Sequence, residues 1–336
     1  MRRSSLLVMS WLFACERGST IPGLDAGVSA SDGAPVFLPI KITELEPAPN
    51  LFAVWGTGPN DVYVVGERGY IAHYDGVSWA TETTTATEDL RSVSGVVAGR
   101  SYDVWAVGMS GRVLRLHLDL EAMPPTPRRW VFESAQTNVD FSAVAAGRNR
   151  VVAVGVGGAI SEWTEAAGWQ AVASNTLERL NGVWVSGDGE EGVAVGNLGT
   201  IVRRSAGAWA RQRVAGLVQQ LNEVWGTSVD SLLIVGLDGT VLRSAGTEWE
   251  TVEGAPRVNL RDVAGLNVNS AYIVGMSGVL VALTGSELAV VPDASGYRLE
   301  GVWGTMLQLD AGVDGGPAEK PLYYVVGVSG TALVGP

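Results

Sequence analysis

Apolar residues in this chain come in short runs, cut at regular intervals by glycine and polar turn residues. In residues 51–79, LFAVWGTGPNDVYVVGERGYIAHYDGVSW, the run LFAVWGT is followed by GPND, a turn composition. VYVVG comes next, then ERG, then YIAHY, then the turn DGVS and a last segment, WATET. No window sustains a helical period of about 3.6 residues, so each segment reads as a strand. The runs are nearly continuous in apolar residues and do not alternate, which predicts strands covered on both faces. ERG suits a three-residue hairpin loop, a type I turn closed by Gly69 in the left-handed region, where a β-carbon is penalised.

This unit repeats. VGxxG occurs at 65–69, 107–111, 154–158, 195–199, 235–239, 274–278 and 326–330. Upstream of each lies an apolar anchor: Leu51, Leu90, Phe141, Leu180, Leu221, Leu260 and Leu299, at steps of 39, 51, 39, 41, 39 and 39 residues. Four short strands per unit of about 40 residues, repeated between four and eight times, predict a β-propeller, here with seven blades. A fourth-strand tryptophan (Trp79, Trp130, Trp169, Trp209, Trp249) precedes the next anchor by 11 or 12 residues, and Leu288 takes that place in the sixth unit. The seventh unit ends after its third strand, which would leave an unpaired edge. Counting 11 back from Leu51 reaches Ile40, so residues 37–45 are expected to supply the missing outer strand and close the ring.

Repeats of the form VWGT…DVYVVG…G.I….DG..W resemble those of bacterial propellers related to the photosystem II stability/assembly-factor family and the wider Asp-box repeats, especially in exported proteins of myxobacteria. The resemblance covers residues 37–336. The tryptophan turn is an imperfect Asp box: only DGVSW (75–79) keeps an aspartate, and it lacks one residue of the Asp-x-Gly spacing. Asp boxes are structural, so this likeness implies no activity; the assembly-factor likeness implies an envelope protein as partner.

Residues 1–15, MRRSSLLVMSWLFAC, have the two arginines and the short apolar run of a signal peptide, too short to span a bilayer. LFAC resembles a bacterial lipobox, which implies lipidation of Cys15. The alternative is an ordinary signal peptide with an incidental cysteine. Glu16 is not the aspartate of inner-membrane retention, so an outer-membrane lipoprotein facing the periplasm or the cell surface is expected. Residues 16–36, small, polar and glycine-rich, read as a flexible tether to a propeller spanning 37–336. The chain has 336 residues, one cysteine, 44 glycines and a formal charge of −12. That charge argues against nucleic acid and against membrane contact beyond the anchor, because both need clustered positive charge. A monomer is expected.

Candidate chemistry is sparse. GDGEEG (187–192) fits the dinucleotide pattern GxGxxG, but it precedes a strand instead of a helix and carries three carboxylates, so it reads as a polar hairpin loop. Asp310 and Asp314 lie in an insertion of blade seven without the spacing of a calcium loop. HLDLEAMPPTPRRW (117–130) lengthens blade two between its third and fourth strands and reads as an exposed loop. Two histidines, His73 and His117, are too few for a histidine metal site, and His73 reads as a surface strand residue. No metal or cofactor is expected.

The residue after each anchor is mostly polar: Phe52, Arg91, Ser142, Asn181, Asn222, Arg261 and Glu300; the next position adds Glu223 and Asp262. Innermost strands line a propeller's channel, so Arg91, Asn181, Asn222, Glu223, Arg261, Asp262 and Glu300 are the candidate binding residues at its mouth. The bland reading is a set of solvated channel residues. The expected function is non-enzymatic binding or scaffolding in the bacterial envelope, with a protein partner or surface glycan. The alternative is a sialidase- or glycosidase-like hydrolase or lyase at the channel mouth, for which Arg91, Arg261 and Tyr272 offer an incomplete set. A third possibility is a purely structural surface protein.

Overall fold

The computed structural model describes residues 35–123, 126–246, 248–292, 296–308 and 319–336. The signal peptide, Cys15, nearly all of the tether, and Asp310 and Asp314 lie outside the described residues.

Among the described residues the strands form seven four-stranded sheets, each antiparallel, arranged as the blades of a β-propeller. The inner strands begin at the expected anchors, from Leu51–Gly58 in blade one to Leu299–Gln308 in blade seven. All seven anchors have no exposed surface. Second strands such as Val151–Gly155 and Gly192–Gly196 are buried along their whole length, as expected for sheets covered on both faces. The core is divided accordingly into seven apolar clusters. One joins Tyr63, Val65, Val104 and Leu116 across blades one and two, and another joins Leu233, Val235, Val263 and Ile273 across blades five and six. Each fully buried leucine or valine contributes about 1.5–3 kcal/mol.

The two glycines of VGxxG answer different demands. Gly66 is extended, and a β-carbon there would lie 2.3 Å from the Asn50 carbonyl oxygen, which accepts the Glu67 N–H at 3.0 Å. That bond to the residue before the anchor recurs in every blade, for example Met109 N–H to Asp89 and Val328 N–H to Arg298. Gly69 has φ +73°, as expected. The turn differs from the expected type I form in that the middle residue is also left-handed: Arg68 has φ 52°, and Ser110, Leu198, Asp238, Ser277 and Ser329 follow suit. The bond to the incoming chain holds the first residue of the loop, and two left-handed residues then return the strand within three positions.

The N-terminal segment closes the ring. Leu38–Pro39 pairs antiparallel with Ala332–Gly335, Leu38 opposite Val334, as the outer strand of blade seven. A proline is tolerated there because the outer side of an edge strand needs no donor. The ladder is shorter than the expected 37–45: after the Ile40 N–H bonds to the Ala332 carbonyl, the chain leaves the sheet. Ile42 then buries itself in the cluster between blades seven and one. Phe37 packs edge-on against Tyr272 of blade six at 5.1 Å.

Tryptophan and glycine interlock neighbouring blades. A β-carbon on Gly95 would lie 2.6 Å from the Trp55 ring, and one on Gly56 would lie 2.9 Å from the Trp303 ring. Trp184 donates its indole N–H to the Gly226 carbonyl at 2.8 Å. The indoles of Trp303 and Trp55 thus lie on a glycine of the next blade, and Trp184 bonds one through its carbonyl.

Candidate functional site

The channel holds a cavity of about 790 Å³, lined by the inner strands of all seven blades. Its mouth, on the side of the VGxxG loops, is built by a repeated bulge. In every blade the register shifts directly after the anchor, between Leu51 and Ala53, Leu90 and Ser92, and so on to Leu299 and Gly301. The residue after the anchor is thus left without a ladder partner, and its side chain is turned to the mouth. Arg91, Asn181, Asn222, Arg261 and Glu300 all line the cavity, as expected from their position in the repeat.

These side chains bind each other and the neighbouring blades. Arg91 lies over the Phe52 ring at 4.3 Å and pairs with Asp89 at 2.9 Å. Asn181 donates to the Leu221 carbonyl at 2.8 Å, and Asn222 donates to Leu260 in the same way one blade on. Arg261 meets the buried Glu300 at 2.8 Å, and Arg298 pairs with the other oxygen of Glu300. Arg179 reaches back to the Ser142 hydroxyl at 3.1 Å. The mouth is a belt of cross-blade contacts, with guanidinium groups left partly exposed on its outer side.

Glu223 and Asp262 stand deeper than the belt. Other blades carry Ala53, Ser92, Ala143, Gly182 or Gly301 at that position. The Asp262 carboxylate accepts the Val302 N–H at 2.8 Å and the Val263 N–H at 2.7 Å; Glu223 accepts the Val224 N–H at 2.9 Å. Ser92 does the same for Val144 at 3.1 Å. These side chains thus serve main-chain donors on the channel wall. Loss of water pushes Asp262 up to about 7, with the nearby Glu300 charge adding to the effect. Desolvation and then the Asp262 charge raise Glu223 well above the carboxylate range.

The other end of the channel was not singled out in the sequence. Trp55, Trp184, Trp225 and Trp303 line it, with Ser94, Ala145 and Ala264 in the remaining blades. The signal was present in the tryptophan that recurs four residues past the anchor, but which side of the sheet it occupies depends on the ring. Trp55 is stacked on Tyr63 at 6.4 Å and on Tyr102 at 6.5 Å, and Trp303 lies over Tyr324 at 6.2 Å.

Away from the channel, polar networks cross the first blade interfaces. His73, read from sequence as a surface residue, is 8% exposed. Its ring bonds Asp61 at 2.7 Å, and the other oxygen of Asp61 accepts the Tyr102 hydroxyl at 2.6 Å. Blade two packs over the third strand of blade one there, which local sequence does not reveal. The long loop of blade two is partly anchored: Arg128 pairs with Glu82 at 2.8 Å, and Trp130 donates to the same carboxylate at 2.7 Å. Between blades three and four, the buried Arg204 and the Trp209 indole both donate to Glu162, at 2.8 and 2.7 Å. GDGEEG is a hairpin loop, with Gly189 at φ +82° and the Glu190 carbonyl taken by Arg204. Tyr272 packs between Phe37 and Tyr323 and does not line the channel cavity. Among the described residues no group of three or more His, Cys, Asp or Glu is placed to hold a metal, and no helix is long and apolar enough to cross a membrane.

The loop face also carries exposed apolar side chains. Met109, Val156, Leu198, Leu237 and Met276 project from five of the seven VGxxG loops, and Leu177 and Val218 from the connections entering blades four and five. Leu177 is 88% exposed and Leu198 61%, values that only solvent or a partner explains.

No protein-family profile matches the chain, and no curated protein does. Solved structures do. The chain is similar to YCF48 bound to D1 peptide, at 16% identity over 91% of this chain and 96% of that one, with a TM-score of 0.63. YCF48 from Cyanidioschyzon merolae is similar at 16% identity over 89% and 98%, TM-score 0.62. The β-propeller domain of Myceliophteria thermophila Cps50 (Swd1) is similar at 10% identity over 89% and 99%, TM-score 0.65. At such identities the likeness is one of fold.

Proposed function

We propose that this chain is a non-enzymatic propeller that binds a protein partner on its loop face. The observation that carries the reading is the set of aliphatic and methionine side chains, Met109, Val156, Leu198, Leu237 and Met276, exposed on loops around one channel mouth. Exposed apolar groups gathered on one face mark an interaction site, and methionine adapts to varied surfaces. The belt at the mouth, with Arg91, Asn181, Asn222, Arg261 and Glu300, supplies the polar centre, with Glu223 and Asp262 beneath it. YCF48, a propeller of similar fold, has a structure in which it is bound to D1 peptide, which supports a polypeptide as the ligand class. A glycan is disfavoured on this face because branched aliphatic tips give a sugar ring no flat surface. A sialidase-like site is disfavoured by the engagement of Arg91 with Asp89, of Arg261 with Glu300, and of Tyr272 with its aromatic neighbours.

In the same reading the propeller is exported and held at the outer membrane through a lipid on Cys15. A Cys15→Ser variant then appears in the soluble fraction and takes up no labelled fatty acid; unchanged membrane recovery would remove the anchor from the proposal. The binding face is tested by capture from envelope extracts. The triple variant Leu198→Glu, Leu237→Glu, Met276→Glu should lose the proteins that wild type retains, while Val77→Glu on the opposite face keeps them. Equal capture by wild type and the triple variant would end the loop-face reading.

A further inference from the structure

The channel end opposite the loops differs in chemistry from everything around it. No charged side chain lines it; the wall is made of indoles, Ser94 and small apolar residues. Trp55, Trp225 and Trp303 are half-buried there. Trp55 packs beside Tyr63 and Tyr102, and Trp303 beside Tyr324, and both indoles line the cavity. Blade order sets these plates in opposition. Trp303 and Trp55 belong to the adjacent blades seven and one; Trp225 belongs to blade five, across the ring, beside Trp184 of blade four. Between the two walls stand Ser94 and Ala145 on one side and Ala264 on the other. The inner strand is the last of each sheet, so its inward main-chain N–H and C=O groups also face this space.

We propose that this aromatic end of the channel is a binding site for a neutral saccharide. A pyranose ring has two flat, C–H-bearing faces and a polar perimeter. It therefore needs apolar plates on opposite sides and neutral hydrogen-bonding groups around the edge. The indole faces provide the plates. Trp184 keeps its N–H on the Gly226 carbonyl, so the edge is provided by the indole N–H groups of Trp55, Trp225 and Trp303 and by inner-strand main chain, since indole nitrogen donates and carbonyl oxygen accepts. A charged ligand finds no counter-ion here. The far end is one part of the channel cavity of about 790 Å³, whose other part is the charged mouth. The site is independent of the loop-face reading, because it uses none of the loop residues.

The test uses the full-length protein in detergent and three neutral probes, maltohexaose, cellohexaose and chitohexaose, with decaproline as a non-sugar competitor. Binding is followed by calorimetry and by the indole N–H resonances of labelled tryptophan. At least one hexasaccharide should bind and shift the Trp55, Trp225 or Trp303 indole signals. Trp225→Phe and Trp303→Phe should each weaken that binding about tenfold or more, with thermal melting showing a folded ring. The triple loop variant should bind the sugar as wild type does. The proposal is overturned if no hexasaccharide binds at millimolar concentration, if the shifts fall only on other tryptophans, or if decaproline alone occupies the indoles. Should a phenylalanine variant not fold, the wild-type indole shifts decide the matter on their own.

Discussion

The two ends of the channel are made from the same seven strands, yet they solve different problems. At the mouth nearly every side chain is engaged: Asn181 and Asn222 on the next blade's carbonyls, Arg91 on Asp89 and Phe52, Glu300 between two arginines. At the far end Trp55, Trp225 and Trp303 are half-buried and line the channel cavity, while Trp184 is buried with its N–H on Gly226. The mouth varies from blade to blade, which in the sequence suggested a binding site. Much of that variation turns out to be different ways of joining neighbouring blades. The far end repeats its tryptophan in four blades, a position that the sequence reading did not single out. Variation and repetition along a chain are thus poor guides to which residues have groups left over for a ligand.

The sharpest way to break the comparison is to open the ring. Deleting residues 36–46 removes the closing strand, Phe37 and Ile42, and should separate Trp303 from the wall it shares with Trp55. Two buried side chains at about 1.5–3 kcal/mol each, together with the exposed edge, predict a loss of about 5 kcal/mol or more and aggregation. Calorimetry showing an unchanged melting temperature would refute closure by this segment.

Trp303→Ala comes next. It leaves a gap over Gly56 at the far end only, and should cost about 3 kcal/mol in chemical denaturation. A much smaller cost would show that the indole is not part of the blade interlock. Gly95→Ala approaches the equivalent contact between blades one and two from its glycine side, since the new methyl meets the Asp103 carbonyl at 2.5 Å and the Trp55 ring at 2.6 Å.

The carboxylates beneath the mouth give a pH signature that the far end lacks. Asp262 titrates near 7, and Glu223 well above the ordinary range. Below about pH 4 both folded and unfolded chains hold these protons. As pH rises from there towards about 7, the unfolded chain releases protons that the folded chain keeps, so stability falls across that window. Glu223→Gln, which keeps an acceptor for the Val224 N–H, should raise stability at pH 8 and flatten the slope. An unaltered slope would mean that the pair is not the source. The smallest effect is expected for Arg91→Ala, which loses the contact with Phe52 and should cost about 0.5–1 kcal/mol.

The sequence by itself determined the seven-fold repeat, the four strands of each blade, the anchors and the closure by the N-terminus. These follow from spacing, because a left-handed Gly69, a glycine pressed against the anchor's neighbour and a strand of fixed length are demands made within one unit. It also placed Arg91, Asn181, Asn222, Arg261 and Glu300 at the mouth, because position in a repeat is position in the ring. Only the tertiary structure decided what those residues do there. The bulge that turns them inward lies between two strands of one blade, whereas the burial of His73 under blade two, the engagement of Asp262 with Val302 and the packing of the indoles depend on contacts with the next blade. Asn181 and the Leu221 carbonyl it bonds are 40 residues apart. Such contacts are set by how one sheet lies on the next, and no spacing within a unit encodes them.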